Sequence, residues 1–547
     1  MKHTKNYKDI SVIILAAGSL KNKNHFLDYA FSSPALVPVN TRTAASNIIE
    51  FYQEFLPESR IYLVINEYDE DEVRTHLKYY LQNVSLVKIG ESSGINETIA
   101  IVLNENSMSE DLIINPVTTI PTKIPEQNEV FLSIATYENA DFSLVTPRSD
   151  TIEFFVKGTL PLEKSHAFTG VLRTSKAWMV DALSRSTTMT DLLEVVRMIE
   201  GKHGLTYQTV DWIDCGHEIN FYESKAKLIA SRSFNAIQIH SDKGILEKHS
   251  TNNKKFKDEI EFMHLLPHEI QVFFPRIIGS SFFEERASAK IEYYGYPTMA
   301  EYMLYWNLSN GMWEKAFKAL TQPLKQFKKH SFSIGMKAYK RFYEGKLLDR
   351  VDKFMHQLSD NRRFILQNDE LTINNVRYKN FPVLKETISK RLEELYDEND
   401  FCIMHGDYCF NNILYDHKSG IIRLIDARGS FGSECVGIYG DSKYDLAKLT
   451  HSIIGRYDYF IAKLFTLDIE DDNTVNFSVH KRETHELLEH LNKKLIEELG
   501  YSVNDILFLT ALLFLSMPPL HNEDPDRQVA FYVHGIVLLN QSLGINT

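Results

Sequence analysis

Residues 401–416 read FCIMHGDYCFNNILYD, and residues 420–429 read GIIRLIDARG. Asp407 and Asn412 lie five positions apart in a predicted loop, and Asp426 ends the apolar strand IIRLID. Phosphoryl transfer from ATP requires a carboxylate that orients and deprotonates the acceptor hydroxyl, and oxygen ligands that hold magnesium against the phosphates. The spacing therefore predicts Asp407 as catalytic base and Asn412 and Asp426 as ligands of Mg2+.

An isolated Asp is more often a turn cap or a salt-bridge partner than a catalytic group, so the prediction depends on the joint pattern. The interval from Asp407 to Asn412 equals that of the protein-kinase catalytic loop. The two segments resemble the aminoglycoside phosphotransferase and choline kinase superfamily, which shares the protein-kinase-like fold, and GDSKYDLAKL at 440–449 resembles its following helix start. The resemblance implies these same roles for Asp407, Asn412 and Asp426. We assign His405 to the catalytic loop, where it is expected to stabilise the loop by hydrogen bonding and to take no part in proton transfer.

Residues 232–300 are expected to supply the rest of an ATP site. Lys248, in the predicted strand GILEKHS, is the candidate for contacting the phosphates, and Glu259, on the following helix, is the candidate for holding it. Glu261 lies two residues further and faces another side of the helix. The segment KIEYYGY, with Glu292 and Tyr293, resembles the passage where backbone groups meet adenine. The segment contains no Gly-rich phosphate loop. Such a loop is also absent from the phosphotransferases that the chain resembles.

Residues 11–230 alternate short apolar runs with amphipathic stretches, which predicts parallel strands covered by helices on both faces. The predicted strands are SVIILAAG, RIYLVINE, VSLVKIG, DLIINPV and DFSLVTP, and TAASNIIEFYQEF is a predicted helix. SVIILAAG and SSPALVPVN resemble the start of a sugar nucleotidyltransferase, a doubly wound Rossmann-like fold. GINETIAIVL, FTGVLRTS and VDWIDCGHEINFYESKAK extend the resemblance over nearly all of residues 10–230.

Several residues that nucleotidyl transfer requires are replaced. Gly18 is the candidate phosphate-loop glycine, but the loop GSLKNKN lacks a second Gly and an Arg, with Lys21 and Lys23 as substitutes. Pro34 stands where the resemblance would place an active-site Lys. Losing one electrostatic donor costs about 3–4 kcal/mol of transition-state stabilisation. A domain that keeps its fold but has lost or weakened the transfer is therefore favoured.

The metal-binding pattern is incomplete as well. The strand DLIINPVTTIP offers Asn115 or Thr118 in place of the first metal-binding Asp. Asp214 is the retained second acid and the candidate metal ligand, although an Asp there could equally cap a turn. A nucleotide or a sugar phosphate remains a candidate ligand of this domain.

The bulk composition limits the function. A formal net charge of −13 argues against a nucleic-acid partner. Four cysteines without metal-ligand spacing fit a reducing compartment. The run ILFLTALLFLSMPPL is shorter than the roughly 20 residues of a bilayer span and contains two prolines, so it is expected to be a core helix. We expect a cytoplasmic protein without a membrane span.

Together these patterns predict an α/β chain of three parts: a nucleotidyltransferase-like domain at 1–231, a kinase-like N-lobe at 232–300 and a helical C-lobe at 301–547. The predicted activity is phosphorylation of a hydroxyl of a sugar, amino alcohol or polyol with ATP and Mg2+. By analogy alone, such fusions resemble bacterial capsule, lipopolysaccharide or phosphocholine-type pathways.

Two alternatives remain open. One is a bifunctional kinase and nucleotidyltransferase, and the other is a non-catalytic nucleotide-binding scaffold. The intact set of Asp407, Asn412 and Asp426 speaks against the scaffold. Acceptor specificity is expected in the C-lobe, where Asp441, Tyr444, Trp306 and Trp313 are candidates that could equally be core or helix-cap residues.

Overall fold

The computed structural model describes residues 9–18, 33–39, 42–138, 141–148, 152–161, 163–217, 220–221, 223–224, 235–240, 243–250, 253–283, 286–431, 435–470 and 474–545. The chain divides into two units, Met1–Ala230 with Tyr305–Asn307, and Ser231–Leu304 with Leu308–Thr547. Ser231, where the sequence suggests a domain boundary, and the loop lysines Lys21 and Lys23 lie outside the described residues.

A nine-stranded mixed sheet forms the centre of the first unit. Its strands are β1 (Ile10–Leu15), β2 (Arg60–Asn66), β3 (Val84–Ile89), β4 (Asp111–Pro116), β5 (Glu129–Tyr137), β6 (Leu144–Pro147), β7 (Ile152–Phe155), β8 (Ser165–Ser175) and β9 (Thr206–Val210). The main path runs β7-β6-β8-β4-β1-β2-β3, and β5 pairs with β8 and β9.

The predicted α/β class is confirmed, but the parallel arrangement is only partly correct. Strands β3, β2, β1 and β4 are parallel neighbours. Strand β8 is antiparallel to β4, β5 and β6. Strands β6 and β7 are also antiparallel, because the four residues between them are too few for the crossover that parallel strands need.

The helices of this unit that have eight or more described residues are α1 (Ala44–Phe55), α2 (Glu70–Leu77), α3 (Ile95–Glu105), α4 (Lys176–Arg185) and α5 (Leu192–His203). Helix α1 coincides with the predicted helix. Thr43 begins it with a capping box, in which its hydroxyl accepts from the Ser46 amide and the Ser46 hydroxyl accepts from the Thr43 amide.

The second unit begins with a four-stranded antiparallel sheet and one helix. Its strands are β10 (Asn235–His240), β11 (Ile245–Ser250), β12 (Ile277–Phe283) and β13 (Arg286–Glu292), in the order β10-β11-β13-β12, and helix α6 covers Asn253–Leu265. Phe256 and Ile260 lie one helical turn apart on α6 and pack against Ala287 and Ala289 of β13. This packing fixes the rotation of the helix about its axis.

The rest of the second unit is mainly helical. Its longer helices are α7 (Met299–Tyr305), α8 (Asn310–Phe327), α9 (Lys346–Gln357), α10 (Phe381–Leu395), α11 (Ser442–Ile453), α12 (His485–Glu498), α13 (Val503–Leu515) and α14 (Pro525–Ser542). Its strands of three or more residues are β14 (Glu370–Ile373), β15 (Val376–Lys379), β16 (Phe401–Ile403), β17 (Ile413–Asp416), β18 (Ile421–Leu424), β19 (Tyr439–Asp441), β20 (Phe465–Ile469) and β21 (Val475–Val479).

The apolar run 506–520 begins inside α13, whose residues from Ile506 to Leu515 are all buried, so the predicted core helix is confirmed. Among the described residues no single helix is long and apolar enough to cross a membrane. The bent pair α12 and α13, at 113°, meets the length and composition requirements only when the two helices are taken together.

Buried histidines should make the stability of the second unit depend on pH. Burial lowers the pKa of His534 from its ordinary value of 6.5 to about 3. Between these values the unfolded chain binds a proton that the folded chain does not, so stability is lost as the pH falls below 6.5. Each such histidine contributes about 1.4 kcal/mol per pH unit.

We expect His534→Gln to remove about 2 kcal/mol of the stability difference between about pH 7 and about pH 5, as measured by urea unfolding. His356→Gln is the control, because the side chain of His356 is 78% exposed. An unchanged pH dependence in His534→Gln would contradict this account of the buried imidazole.

Candidate functional site

The loop that carries Asp407 is attached to helix α11 by a buried carboxylate. Asp445 accepts hydrogen bonds from the amides of His405 (2.7 Å) and Gly406 (2.8 Å). Burial raises the pKa of Asp445 to about 7. Gly406 has φ of +79°, and a Cβ there would lie 2.9 Å from Cβ of Arg428. Both the backbone angle and the lack of space therefore require glycine.

His405 lies inside this loop and supports it. Its Nδ1 accepts a hydrogen bond from the Asp407 amide (3.2 Å), and its ring stacks on Phe274. Burial lowers the pKa of His405 to about 4, so the imidazole is neutral near pH 7. These contacts suit a brace and offer no proton for transfer.

The carboxylate of Asp407 faces two cations. Lys448 Nζ lies 2.8 Å from Oδ1, and Arg428 Nη2 lies 3.8 Å from Oδ2. Burial alone would raise the pKa of Asp407, but Lys448 and Arg428 outweigh it and hold the pKa well below its ordinary range. Asp407 is therefore ionised at physiological pH and can orient a hydroxyl as a hydrogen-bond acceptor.

Asn412 and Asp426 flank the open end of one hairpin. Strands β17 and β18 pair Ile413 with Leu424, and the Ile425 amide donates to the carbonyl oxygen of Asn412 (3.0 Å). The Asn412 side-chain amide donates to the backbone oxygen of Asp407 (3.0 Å), which links the hairpin to the loop that carries Asp407. Asp426 has φ of +56°, in the left-handed region that Asp tolerates better than most residues.

Lys248 connects the sheet of the second unit to this hairpin. Its Nζ lies 2.8 Å from Glu259 Oε1 and 2.9 Å from Asp426 Oδ1. Burial would lower the pKa of Lys248, but Asp426 and Glu259 outweigh it and raise the pKa. Glu261 points elsewhere and pairs with Lys257. The structure thus brings Lys248, Glu259 and Asp426 together, although Lys248 and Asp426 are 178 positions apart in the chain.

The backbone N–H groups of Glu292 and Tyr293 are already used inside the protein. The Glu292 amide donates to Arg276 O (2.9 Å), and the Tyr293 amide donates to Gly244 O (2.8 Å). The Glu292 carboxylate accepts from Arg276 Nε (2.7 Å) and from the Tyr294 hydroxyl (3.0 Å). The backbone amides of Glu292 and Tyr293 are therefore not available to adenine. An adenine contact at these residues would have to use other groups.

In the first unit, Asp214 is the centre of a local hydrogen-bond network. Its carboxylate accepts from the Gly216 amide, His217 Nδ1 and Asn220 Nδ2, each at 2.9 Å. Asp214 is only 1% exposed. In the described part of the chain, no group of three or more His, Cys, Asp and Glu side chains is arranged to hold a metal. The geometry of Asp214 thus matches a turn-capping residue better than the metal ligand proposed from the sequence.

The other candidates of the first unit are occupied in a similar way. Gly18 has φ of +126°, and its amide donates to Asn66 Oδ1 (3.1 Å). Asn115 is fully buried; its side-chain oxygen accepts from the Tyr52 hydroxyl (2.8 Å), and its side-chain amide donates to backbone oxygens of Pro116 and Thr119. Asn115 therefore stabilises the end of β4.

No protein-family model and no curated protein matches the sequence. Solved structures do match. The nucleoside-diphosphate-sugar pyrophosphorylase from Vibrio cholerae RC9 is 14% identical (TM-score 0.32), and the match covers 39% of this chain and 99% of that one. The inositol-1-phosphate CTP transferase from T. maritima is 16% identical (TM-score 0.30), with coverage of 41% and 97%.

An aminoglycoside-3'-phosphotransferase of type VIII is 15% identical (TM-score 0.30), and the match covers 50% of this chain and 84% of that one. The two kinds of protein that the sequence resembles are thus both among the matched structures. At these identities and TM-scores the similarities carry no conclusion about reaction or substrate.

The residues near Asn412 and Asp426 fit a hard cation. Both side chains offer oxygen donors, which Mg2+ prefers, and Mg2+ commonly takes only one or two protein ligands beside phosphate oxygens. The hydrogen bond from the Asn412 side-chain amide to Asp407 fixes the orientation of that amide. The Asp426 side chain is 53% exposed, so a bound nucleotide can reach it.

Sequence reasoning missed five residues around Asp407. Asp445 supports the loop, and Arg428 and Lys448 contact the Asp407 carboxylate. Lys346 on α9 joins this group through the Tyr444 hydroxyl, which accepts from both Lys346 and Arg428, and Arg350 lies one turn further along α9. Arg428 lies within GIIRLIDARG, and Asp445 and Lys448 lie within GDSKYDLAKL, so the quoted segments already contained three of the five missed residues.

Of the specificity candidates, Asp441 caps α11 by accepting a hydrogen bond from the Lys443 amide.

Gly429 keeps helix α6 close to this site. A Cβ at Gly429 would lie 2.1 Å from the backbone oxygen of Asp258, the neighbour of Glu259. Overpacking of this kind typically costs about 1–3 kcal/mol. We expect Gly429→Ala to lower the melting temperature and to raise KM for ATP by about 10-fold, because the added methyl group displaces Glu259 from Lys248.

Gly311→Ala is the matched control, since a Cβ at Gly311 meets nothing within 4 Å. Thermal unfolding and ATP titrations of both variants check the prediction. An unchanged KM in Gly429→Ala would contradict the inferred closeness of α6 to the site.

Proposed function

We propose that residues 231–547 form an ATP-dependent kinase that phosphorylates a hydroxyl of a small molecule such as a sugar, amino alcohol or polyol. The observation that carries the proposal is the contact of Lys248 with both Glu259 (2.8 Å) and Asp426 (2.9 Å). This contact joins Lys248 of the sheet and Glu259 of α6 to the hairpin that carries Asp426. On the other side of the same hairpin, the Asn412 side chain is hydrogen-bonded to the loop that carries Asp407.

Each residue then has a role in an in-line displacement. The acceptor oxygen attacks the γ-phosphorus of ATP, the bond from that phosphorus to the β,γ-bridging oxygen breaks, and ADP leaves. The hydroxyl proton passes to the Asp407 carboxylate, which also orients the acceptor. Lys248 binds phosphate oxygens, and Glu259 holds its ammonium group in place.

Asn412 and Asp426 are the residues that would hold Mg2+. When bound, the ion would neutralise phosphate charge that develops during the transfer. The depressed pKa of Asp407 makes it a weak base. This suits a loose transition state, in which little proton transfer is needed before the phosphoryl group has moved.

Acceptor-dependent release of ADP from ATP and Mg2+ tests this proposal. ADP release is measured with the full chain and each member of a panel of sugars, sugar derivatives, amino alcohols and polyols. Control reactions contain the same acceptor but no protein. We expect one chemical group of acceptors to stimulate ADP release far above the rate with water alone. A panel without any stimulation, in a preparation that also fails to bind ATP, would favour a non-catalytic scaffold.

For residues 1–230 we infer a nucleotidyltransferase-like domain without metal-dependent transfer. The inference is supported by the hydrogen bonds that occupy Asp214 and Asn115. The test is pyrophosphate release from CTP, UTP or dTTP in the presence of a phosphorylated acceptor. Release by the full chain would instead establish the bifunctional alternative.

A further inference from the structure

Four cations of the second unit form a group that begins at Asp407 and continues through Tyr444 to helix α9. The basic cluster consists of Lys346, Arg350, Arg428 and Lys448. Lys448 is only 7% exposed, and the side chain of Arg428 is 33% exposed. Buried or half-buried cations normally have acidic partners, because an unpaired charge away from water is costly.

The acidic groups present do not balance the basic cluster. Asp407 contacts Lys448 and Arg428, and Asp445 lies close to Lys448 but accepts two backbone amides. With both carboxylates counted against Lys448 and Arg428, Lys346 and Arg350 remain as two cations without a carboxylate partner among the described residues. The side next to Asp407 should therefore attract anions.

Lys346 and Arg350 lie one turn apart on α9, and no described carboxylate is within salt-bridge distance of either. Lys346 Nζ donates to the Tyr444 hydroxyl (3.1 Å) and lies over the ring of Phe342. Arg350 Nη1 donates to the backbone oxygen (3.2 Å) and hydroxyl (3.3 Å) of Ser516. None of these partners is a carboxylate, so the two cations are held in place without a carboxylate counter-ion.

Tyr444 connects the two halves of the basic cluster. Its hydroxyl also accepts from Arg428 Nη1 (3.4 Å), and Arg428 in turn faces Asp407. Burial would raise the pKa of Tyr444, but Lys346, Arg428 and Lys448 outweigh it and lower the pKa to about 7. The shift reflects the same positive surroundings that the count of charges indicates.

The triphosphate of ATP does not account for all four cations. The candidate ATP residues Lys248 and Glu259 meet Asp426, whereas the contacts of Lys346 and Arg350 are with Phe342, Tyr444 and Ser516. Lys346 and Arg350 therefore lie on the Tyr444 side of Asp407, where an acceptor that presents its hydroxyl to the base could extend.

We propose that the acceptor of this kinase carries an anionic group, a phosphate or a carboxylate, which the basic cluster binds through Lys346 and Arg350 while the acceptor hydroxyl faces Asp407. The proposal rests on the kinase function proposed above and narrows its substrate class. It excludes cationic amino alcohols as preferred acceptors. Arg and Lys are the usual protein partners of phosphate and carboxylate groups.

The experiment uses acceptor sets that differ only in charge: glycerol with glycerol 3-phosphate and glycerate, glucose with glucose 6-phosphate and glucuronate, and choline as the cationic member. ADP release by the full chain gives kcat/KM for each. We expect the anionic member of a set to exceed its neutral partner by at least about 10-fold, since hydrogen bonds to charged groups are worth that much. Comparing kcat/KM for the phosphate-bearing and carboxylate-bearing members shows which of the two anionic groups is preferred.

Lys346→Met and Arg350→Gln should each raise KM for the anionic acceptor about 10-fold and leave KM for ATP unchanged. Lys353→Met, on the exposed face of the same helix, is the control and should change neither. A rise in KM for ATP in Lys346→Met would assign the basic cluster to the nucleotide and overturn the proposal. Preferred turnover of a neutral or cationic acceptor would overturn it while leaving the kinase intact.

A binding measurement decides the case in which no panel member is turned over. The melting temperature is followed with glycerol 3-phosphate or inorganic phosphate against sodium chloride of equal ionic strength. Phosphate-dependent stabilisation that is lost in Lys346→Met and kept in Lys353→Met would support the anion site. The anion site would be overturned if phosphate stabilised none of the proteins, or stabilised the wild type, Lys346→Met and Lys353→Met equally. This conclusion would hold whether or not the protein binds ATP.

Discussion

Asp407→Asn should lower kcat for acceptor-dependent ADP release by about 10³-fold, within the range expected for loss of a positioned general base. The substitution keeps the shape of the side chain but removes the charge that orients the hydroxyl and accepts its proton. Binding of ATP should persist, because Lys248 and Asp426 are unchanged. Coupled ADP assays and ATP titrations of the same preparation measure both effects.

Asp352→Asn on helix α9 is the matched control, since the side chain of Asp352 is 77% exposed. It should behave as the wild type. If Asp407→Asn retained more than about a tenth of wild-type kcat, Asp407 would not be the base. Loss of ATP binding in Asp407→Asn would point to a collapsed loop instead, which circular dichroism and the melting temperature would reveal.

Lys248→Met should reduce kcat/KM for ATP by about 10²–10³-fold, the usual effect of removing one electrostatic donor to a transferring group. Met preserves the aliphatic stem in the packed strand but leaves Glu259 and Asp426 without their shared cation. The expected loss is in kcat/KM for ATP, with little change in KM for the acceptor. Steady-state kinetics with each substrate varied in turn separates the two.

Lys290→Met is the control for this variant, because Lys290 lies on the neighbouring strand β13 with a side chain that is 55% exposed. Equal effects of the two variants would show that the loss reflects the sheet rather than the site. Glu259→Gln should reproduce part of the Lys248→Met defect, because it weakens the hold on the ammonium group without removing it.

Much of the first unit could be predicted because its central strands are continuous apolar runs. Strands β1, β2 and β4 match predicted segments closely, as expected for strands covered on both faces. The edge strand β3 also matches its predicted segment, although Ser85 and Lys88 on it are exposed. Strand β5 was not predicted: its second half is exposed, with Ile134 at 62%, and no simple hydrophobic period marks it. The mixed direction of the sheet depends on pairings that no local pattern shows.

In the second unit, the prediction of a helix-rich region missed the sheet β15-β14-β21-β20. Strands β20 (FTLDI) and β21 (VNFSV) alternate apolar and polar residues, a local signal of half-buried strands that the prediction did not use. Strand β14, in contrast, pairs with β21 about a hundred positions later, a partner that no local pattern shows. Tertiary pairing, rather than local preference, decides such strands.

Three residues of the candidate site could be predicted from sequence because they form one recognisable local pattern. Asp407, Asn412 and Asp426 fall within one stretch of 20 residues. Lys346 and Arg350 come from a helix far upstream with no motif, and only the packing of α9 beside Tyr444 brings them to the site. Residues that act through tertiary contacts alone leave no local signal, which is why the proposed acceptor class depends on the structure.

Magnesium-dependent binding of ATP tests the central claim most directly, because it does not require the acceptor to be known. A non-hydrolysable ATP analogue is titrated calorimetrically into the full chain with and without Mg2+, and into Asp426→Asn. The account predicts binding that Mg2+ strengthens in the wild type, and little effect of Mg2+ in Asp426→Asn. No binding to the wild type, or binding that Mg2+ and Asp426→Asn leave unchanged, would contradict the assignment of this site to an ATP-dependent kinase.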